Sequence, residues 1–405
     1  MSTARTTPAI VHPLPGRGRN LWLATLAFAI TFWAWNEIGP LGIRYAQDLE
    51  LTPTQTSILV AVPVLVGSLG RIVTGVLTDR YGGRSMFTLF IAISAVPLIL
   101  VMWAGSIGSY VMLLIFGFLL GIAGTTFAIG VPFVNAWYDA SKRGFATGVF
   151  GMGMGGTALS AFFTPRMVQW FGYATTHIIM AVALLVLAGV VWVFMRDSPA
   201  WRPNTDKVLP KLAAAGRLAI TWQMSFLYAV AFGGFVAFST YLPTYLNTVY
   251  GYELADAGTR TAGFAVAAVV ARPFGGILSD RFGPARVLMF VLSGTAVMAV
   301  VIALVPPPEL LAGASFVIMG VLLAAGAGAV FAWVAQRAPQ ARVGTITGMV
   351  GAAGGLGGFF PPLLMGATYS PETGGYAIGL GLLCATAVAA VFFTYIVSHA
   401  PKDEG

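Results

Sequence analysis

From about residue 21 to about residue 398 the chain repeats one pattern: a long apolar run, a short polar or Pro/Gly-rich break, then another apolar run. A helix needs about 20 mostly apolar residues to cross the hydrocarbon core of a bilayer, where no water can satisfy stray backbone groups. Dividing the chain at its charged and Pro/Gly-rich clusters predicts twelve spans. They lie near 21–42, 56–78, 86–105, 109–137, 145–167, 175–195, 221–247, 257–279, 285–305, 310–335, 344–367 and 376–398.

The cations fix an orientation for this map. With the N-terminus inside, seventeen of the 22 Lys and Arg fall on the inner side, three (Arg44, Arg166, Arg260) fall outside, and Arg71 and Arg272 remain within spans. Inner loops of membrane proteins carry the excess of positive charge, and one missed helix would scramble so strong a bias. Both termini are therefore expected in the cytoplasm and the protein in the cytoplasmic membrane. The net charge of +8 then reflects topology and not a nucleic-acid partner. With 58% hydrophobic and 9% charged residues, the composition is that of an all-α membrane protein. The lone Cys384 excludes a disulfide framework and a cysteine metal site. Residues 1–20 read as a cytoplasmic tail before a retained first helix. A polar linker, 196–217, divides a six-helix set at 21–195 from another at 218–398, and 399–405 form a second tail.

The two sets are related. "GSLGRIVTGVLTDRYGG" at 67–83 returns 201 positions later as "AVVARPFGGILSDRFGP", with Arg272, Gly276, Leu278, Asp280, Arg281 and Gly283 on Arg71, Gly75, Leu77, Asp79, Arg80 and Gly82. At an offset of 200, Gly144, Gly148, Gly151 and Gly155 of the fifth span fall on Gly344, Gly348, Gly351 and Gly355 of the eleventh, and Phe28 and Phe32 on Tyr228 and Phe232. Two pseudo-symmetric six-helix bundles with a midplane site between them are the plan of a secondary transporter. Small residues spaced this way let helices approach closely and slide.

The candidate chemistry sits in the two intramembrane arginines. A charge at mid-bilayer costs ~3 kcal/mol or more, so it normally faces a cavity or a partner and marks function. Thirteen of the fourteen acidic residues lie in loops, tails or helix ends, and only Glu37, near the outer end of the first span, sits appreciably inside a helix. Neither arginine has an obvious internal counter-ion, so the missing negative charge is most simply the substrate. A guanidinium stays charged at physiological pH and presents a planar fork of donors that matches a planar oxyanion.

The two "GxLxDRxG" loops resemble the signature of the major facilitator superfamily, which implies that fold. It also implies that Asp79, Arg80, Asp280 and Arg281 cap helix ends and form a cytoplasmic gate without touching substrate. "AVPVLVGSLGRI", "FAIGVPFVNAWY", "YAVAFGGFVAFSTYLPT" and "GAAGGLGGFFPPLLMG" are similar to the nitrate/nitrite porters within that superfamily, along nearly the whole chain. The resemblance implies that Arg71 and Arg272 bind the anion directly and that Phe127, Tyr228 and Phe232 form an aromatic pocket around it. Nitrate and nitrite are flat and weakly hydrated, and ring edges carry partial positive charge suited to them. Where the family's fifth helix usually has Asn in its glycine motif, this chain has Met154, a weak acceptor at most. Gly151, Gly155, Gly351 and Gly355 belong to the glycine-rich fifth and eleventh helices.

An empty site would hold two like charges whose repulsion disfavours an occluded state until an anion bridges them, which predicts nitrate/nitrite exchange. Proton-coupled symport is the rival reading, with Glu37 as the candidate proton site because a partly buried carboxyl binds its proton more tightly. A carrier of another small anion, such as a monocarboxylate or cyanate, is the other alternative. No nucleophile and base pair, metal cluster or phosphate-binding loop is visible, and His12, His177 and His399 lie scattered at membrane edges or tails, so neither an enzyme nor a nucleotide-driven pump is expected. No cofactor is expected, and the protein is expected to work as a monomer.

Overall fold

The computed structural model describes residues 14–139, 142–199, 201–203, 208–339, 342–370, 372 and 375–400. Arg5, His12, Lys207, Lys402 and most of both expected tails lie outside the described residues. Among those described, the chain folds into twelve helical rods. The first comprises Arg17–Trp35 and Ile38–Asp48, jointed at Asn36 and Glu37. Pro53–Tyr81, Gly83–Ser106 and Tyr110–Asn135 follow. The fifth runs through Arg143–Gly151, a tighter 3-10 stretch Met152–Gly155, and Gly156–Phe171. Tyr173–Phe194 completes the first half. The second half has Ala219–Tyr250, Leu254–Phe282, Pro284–Ala303, Leu310–Arg337, the jointed pair Val343–Gly357 and Phe360–Ala367, and Ala377–His399. Eleven rods are long and apolar enough to cross a membrane by length and composition. The fifth falls outside that set; six glycines between Gly144 and Gly156 dilute its apolar character. Within the linker, Val208–Gly216 is helical, which the polar reading of 196–217 did not anticipate.

Local chemistry sets the ends of the rods. Thr52 and Gln55 close a reciprocal capping box, with Thr52 N donating to Gln55 Oε1 at 2.9 Å, and Pro53 follows at the first helical position. Gly82 (φ 86°) and Gly283 (φ 88°) each make a one-residue joint between consecutive rods, a backbone that a Cβ would strain. Exposed Trp22, Trp192 and Trp222 ring one end of the molecule and exposed Trp103 and Trp170 the other, as amphipathic rings do at the two faces of a bilayer.

The halves are sealed at one end. Gly39 and Gly42 of the first rod bring its backbone against Thr240 and Thr244 of the seventh. Gly258 of the eighth rod lies on the Ala161 carbonyl of the fifth, and Arg166 Nη2 donates to Thr259 Oγ1 across the same seam at 2.7 Å. Thr54 Oγ1 donates to the Gly366 carbonyl at 3.2 Å, where the second rod meets the eleventh. Toward the other end the surfaces part: Gly75, Gly148, Gly276 and Gly348 have nothing within 4 Å of the space a Cβ would take. The structure is therefore closed at the end bearing Arg44, Arg166 and Arg260 and open at the end bearing the two DRxG loops.

Gly258→Leu is expected to destabilise the sealed form by about 1–3 kcal/mol, because its side chain would overlap the Ala161 backbone. Gly263→Leu on the same rod, with open space around it, should be neutral. Melting temperatures of the two variants in detergent check this.

Candidate anion-binding site

Arg71 is held by the packing of its own rod. Gly67 lies under the Trp35 indole and Gly70 under Thr125, so the second rod presses onto its own half and turns Arg71 toward the opposite one. Arg71 is 4% exposed, and its Nη1 donates to the Gly351 carbonyl of the eleventh rod at 2.9 Å. Its Nε and Nη2 have no hydrogen-bond partner among the described residues. Those two nitrogens form the side edge of the guanidinium, the pair of parallel donors that fits two oxygens of one oxyanion.

Arg272 is fixed by the eighth rod's contact with the tenth: a Cβ at Gly275 or Gly328 would overlap backbone of the facing rod, at Gly328 the carbonyl of Arg272 itself. Pro273 interrupts the helical ladder one residue on. Arg272 Nη2 donates to Tyr228 Oη at 2.9 Å, and its Nη1 points at the Met154 sulfur of the fifth rod. Each arginine thus reaches across the pseudo-twofold to the glycine-rich rod of the other half. The tethers differ: Arg71 has a carbonyl, Arg272 a phenol and a thioether.

Among the described residues the only salt bridge is the surface pair Arg44–Asp48 at 3.0 Å, so no carboxylate neutralises either guanidinium. Aromatic faces stand there instead. The Arg71 guanidinium carbon lies 5.2 Å from the centroid of Phe127 and 5.7 Å from that of Phe232, and that of Arg272 lies 5.5 Å from Phe232. Sequence reasoning gave ring edges to the anion; in this arrangement the rings face the cations, whose desolvation such contacts offset by roughly 0.5–2 kcal/mol each.

The predicted site residues Arg71, Arg272, Phe127, Tyr228, Phe232 and Met154 thus meet at one place. Sequence reasoning missed their backing. Phe28 is fully buried, stacks on Phe150 at 4.8 Å and supports Phe127 at 5.6 Å, while Phe331 supports Tyr228 at 4.5 Å. The Phe28/Tyr228 repeat was the available signal for the first of these.

The glycines need a correction. Gly355 lies on Ser68, and Gly351 supplies its carbonyl to Arg71, but Gly151 and Gly155 face open space. Gly153 and Gly156 make the close approach of the fifth rod to the first, against Phe28 and Ala29, and Gly354 makes that of the eleventh to Tyr228. The 3-10 stretch Met152–Gly155 advances each residue roughly 20° further around the axis than an α-helix does, which changes the residues facing the neighbour.

Two other predictions lie apart from the site. Asp79, Arg80, Asp280 and Arg281 are exposed at the ends of the second and eighth rods. Asp197, not Asp79, takes the free backbone N–H of Arg84 at the start of the third rod, at 3.0 Å. Glu37 stands at the joint of the first rod, nine residues or about 13 Å of helix beyond Phe28. It is 1% exposed, more deeply buried than the partly buried carboxyl expected from the sequence.

Comparisons with known proteins bear on the family and the fold. Residues 21–362 match the model of the Major Facilitator Superfamily. The chain is 58% identical over 389 residues to the probable nitrate/nitrite transporter NarK2 of Mycobacterium tuberculosis, covering 96% of this chain and 98% of that one. It is 36% identical to the probable nitrate/nitrite antiporter NarK1 of Thermus thermophilus, covering 86% of this chain and 85% of that one. With the nitrite extrusion protein of Bacillus subtilis it shares 35% identity over 91% of this chain and 92% of that one. In fold it is similar to the crystal structure of a bacterial homolog of the human lysosomal transporter Spinster in an inward-facing, occupied conformation. The TM-score there is 0.70 at 20% identity, covering 95% of this chain and 97% of that one.

Tyr228→Phe removes the hydroxyl that orients Arg272. Loss of a hydrogen bond to a charged group, about 1.5–3 kcal/mol, is expected to weaken binding of a small planar oxyanion roughly tenfold or more. Equilibrium binding to the purified protein checks it.

Proposed function

The chain belongs to the Major Facilitator Superfamily and, within it, to the nitrate/nitrite porters, and from that premise we propose that it exchanges nitrate for nitrite across a membrane by secondary active transport. The observation that carries this reading is Arg71, a buried guanidinium whose Nε/Nη2 edge has no partner among the described residues. Nitrate matches that edge with two coplanar oxygens, as does nitrite. Arg272 supplies the second cation from the opposite half, at the cost of leaving the Met154 sulfur.

Exchange follows from the charge balance. Two cations facing one ring, each tethered only to neutral groups, repel as the halves close on them. An anion between them reverses the sign of that term, so its differential affinity for the occluded form lets loaded carriers cross and holds empty ones back. In this reading 21–195 and 218–398 are the rocking bodies, and the monomer is the working unit. The open end faces the cytoplasm, and both termini lie on that side of the cytoplasmic membrane. When that end closes, the open glycine faces at Gly148, Gly151 and Gly348 come into contact, and Asp79, Arg80, Asp280 and Arg281 pair across the gap as the gate.

A second reading has one observation behind it: Met154 replaces the amide expected near the anion with a thioether, which favours a less polar monovalent anion such as a monocarboxylate. Counterflow into proteoliposomes with labelled nitrate decides between them, comparing trapped nitrite, trapped chloride and trapped monocarboxylate. Acceleration by nitrite alone is the expected result. In the same assay Arg71→Lys and Arg272→Lys should each lower transport by roughly a hundredfold or more while the protein still folds, because charge remains and the planar fork is lost. Full activity of either variant would reject paired hydrogen bonding to the anion.

A further inference from the structure

The carboxyl of Glu37 has no role at the arginine pair, and its surroundings are unusual. It is 1% exposed, and both of its oxygens lack a hydrogen-bond partner among the described residues. The only cation on its own segment, Arg44, is engaged with Asp48 at 3.0 Å and lies over the Tyr173 ring at 4.9 Å. The titratable groups within electrostatic reach of Glu37 are the phenols of Tyr45, on its own segment, and Tyr173, on the sixth rod, whose hydroxyls are 2.9 Å apart. His177, one turn from Tyr173, gives its Nδ1 to the Tyr173 carbonyl. The fourth and seventh rods offer Gly117 and Thr240 to the neighbouring Ile38 and Gly39. An ionised carboxylate without a donor or cation would be an uncompensated buried charge.

The fold does not require an acid here. At the repeat offset of 200, Tyr45 corresponds to Tyr245, equally buried, but Glu37 corresponds to Ala237. The tyrosine is shared by the halves and the carboxyl is peculiar to one. Its position is a mechanical one: Glu37 occupies the joint between Arg17–Trp35 and Ile38–Asp48, and the latter segment forms the seal against the seventh rod through Gly39 and Gly42. Opening that seal moves this segment and admits water to its root. Tyr45 and Tyr173, joined through their hydroxyls, line a cleft of about 410 Å³ at the sealed end together with Arg44 and Asp48.

We propose that Glu37 is a proton-binding site that holds a proton while this end is sealed and releases it through the Tyr45–Tyr173 pair when the end opens. The inference rests on the alternating-access reading above and adds its regulation by protons. The sealed form binds one proton more than the open form. Acid therefore favours the seal, and rising pH favours opening.

The test places nitroxide labels at Gln47→Cys and Glu253→Cys, exposed on opposite halves of the sealed rim, in the full chain with Cys384→Ala. Distances are read by electron–electron resonance from mildly acidic to mildly alkaline buffer. The parent is expected to gain a longer-distance population severalfold as pH rises. Glu37→Gln, and Glu37→Ala in imitation of the other half, should show one distance distribution that does not change with pH. The same pH response in either variant as in the parent, or none in the parent, overturns the proposal. Nitrate/nitrite counterflow by the same proteins reports separately on the exchange reading: its retention in Glu37→Gln with the pH response lost is the expected pair of results.

Discussion

Two guanidiniums set between two bundles, Arg71 buried and Arg272 half-buried, with no carboxylate among the described residues to neutralise them, are the constraint on which the rest of the structure turns. A permanent cation in a medium of low dielectric must be compensated, and here the compensation is divided among neutral groups: the Gly351 carbonyl, the Tyr228 hydroxyl, the Met154 sulfur and the faces of Phe127 and Phe232. Each contributes a fraction of what an opposite charge would. The deficit that remains is largest at the Nε/Nη2 edge of Arg71, which has no partner among the described residues.

The surrounding architecture serves that deficit by bringing the halves together at the arginines. Closely packed glycines at the sealed end, Gly39, Gly258 and Gly366, let backbones touch without interdigitating side chains. Such surfaces separate with little loss of packing, which suits a seam that has to open. At the other end Gly75, Gly148, Gly276 and Gly348 have no such contact. The crossing tethers, Arg71 to the eleventh rod and Arg272 to the fifth, make each half's cation report on the position of the other half.

The symmetry is incomplete where function would need it to be. Arg71 carries a free bidentate edge, whereas both terminal nitrogens of Arg272 are engaged, so the two arginines are unequal before any anion arrives. Glu37 has no counterpart in the second half, where Ala237 takes its place. Two related bundles can hold one substrate symmetrically, but a gate that responds to protons at one end alone has to be written into one bundle alone.

The sequence by itself determined the twelve rods, the division into two related sets of six and the pair of arginines between them. Apolar length, the placement of cations and a repeat at 200 residues are properties of order along the chain. It singled out Arg71 and Arg272 through the repeat, while Phe127, Tyr228, Phe232 and Met154 were named through the resemblance to the nitrate/nitrite porters. What it left undecided depends on azimuth and depth. The 3-10 stretch at Met152–Gly155 turns Gly151 and Gly155 away from contact and Gly153 and Gly156 into it, a rotation with no signature in residue spacing. The direction each guanidinium edge faces, the use of ring faces for cations, and the full burial of Glu37 at a joint were fixed only when the rods packed. Neighbours distant in sequence, such as Gly351 for Arg71 and Tyr173 for Tyr45, decide which polar atoms find partners and which do not.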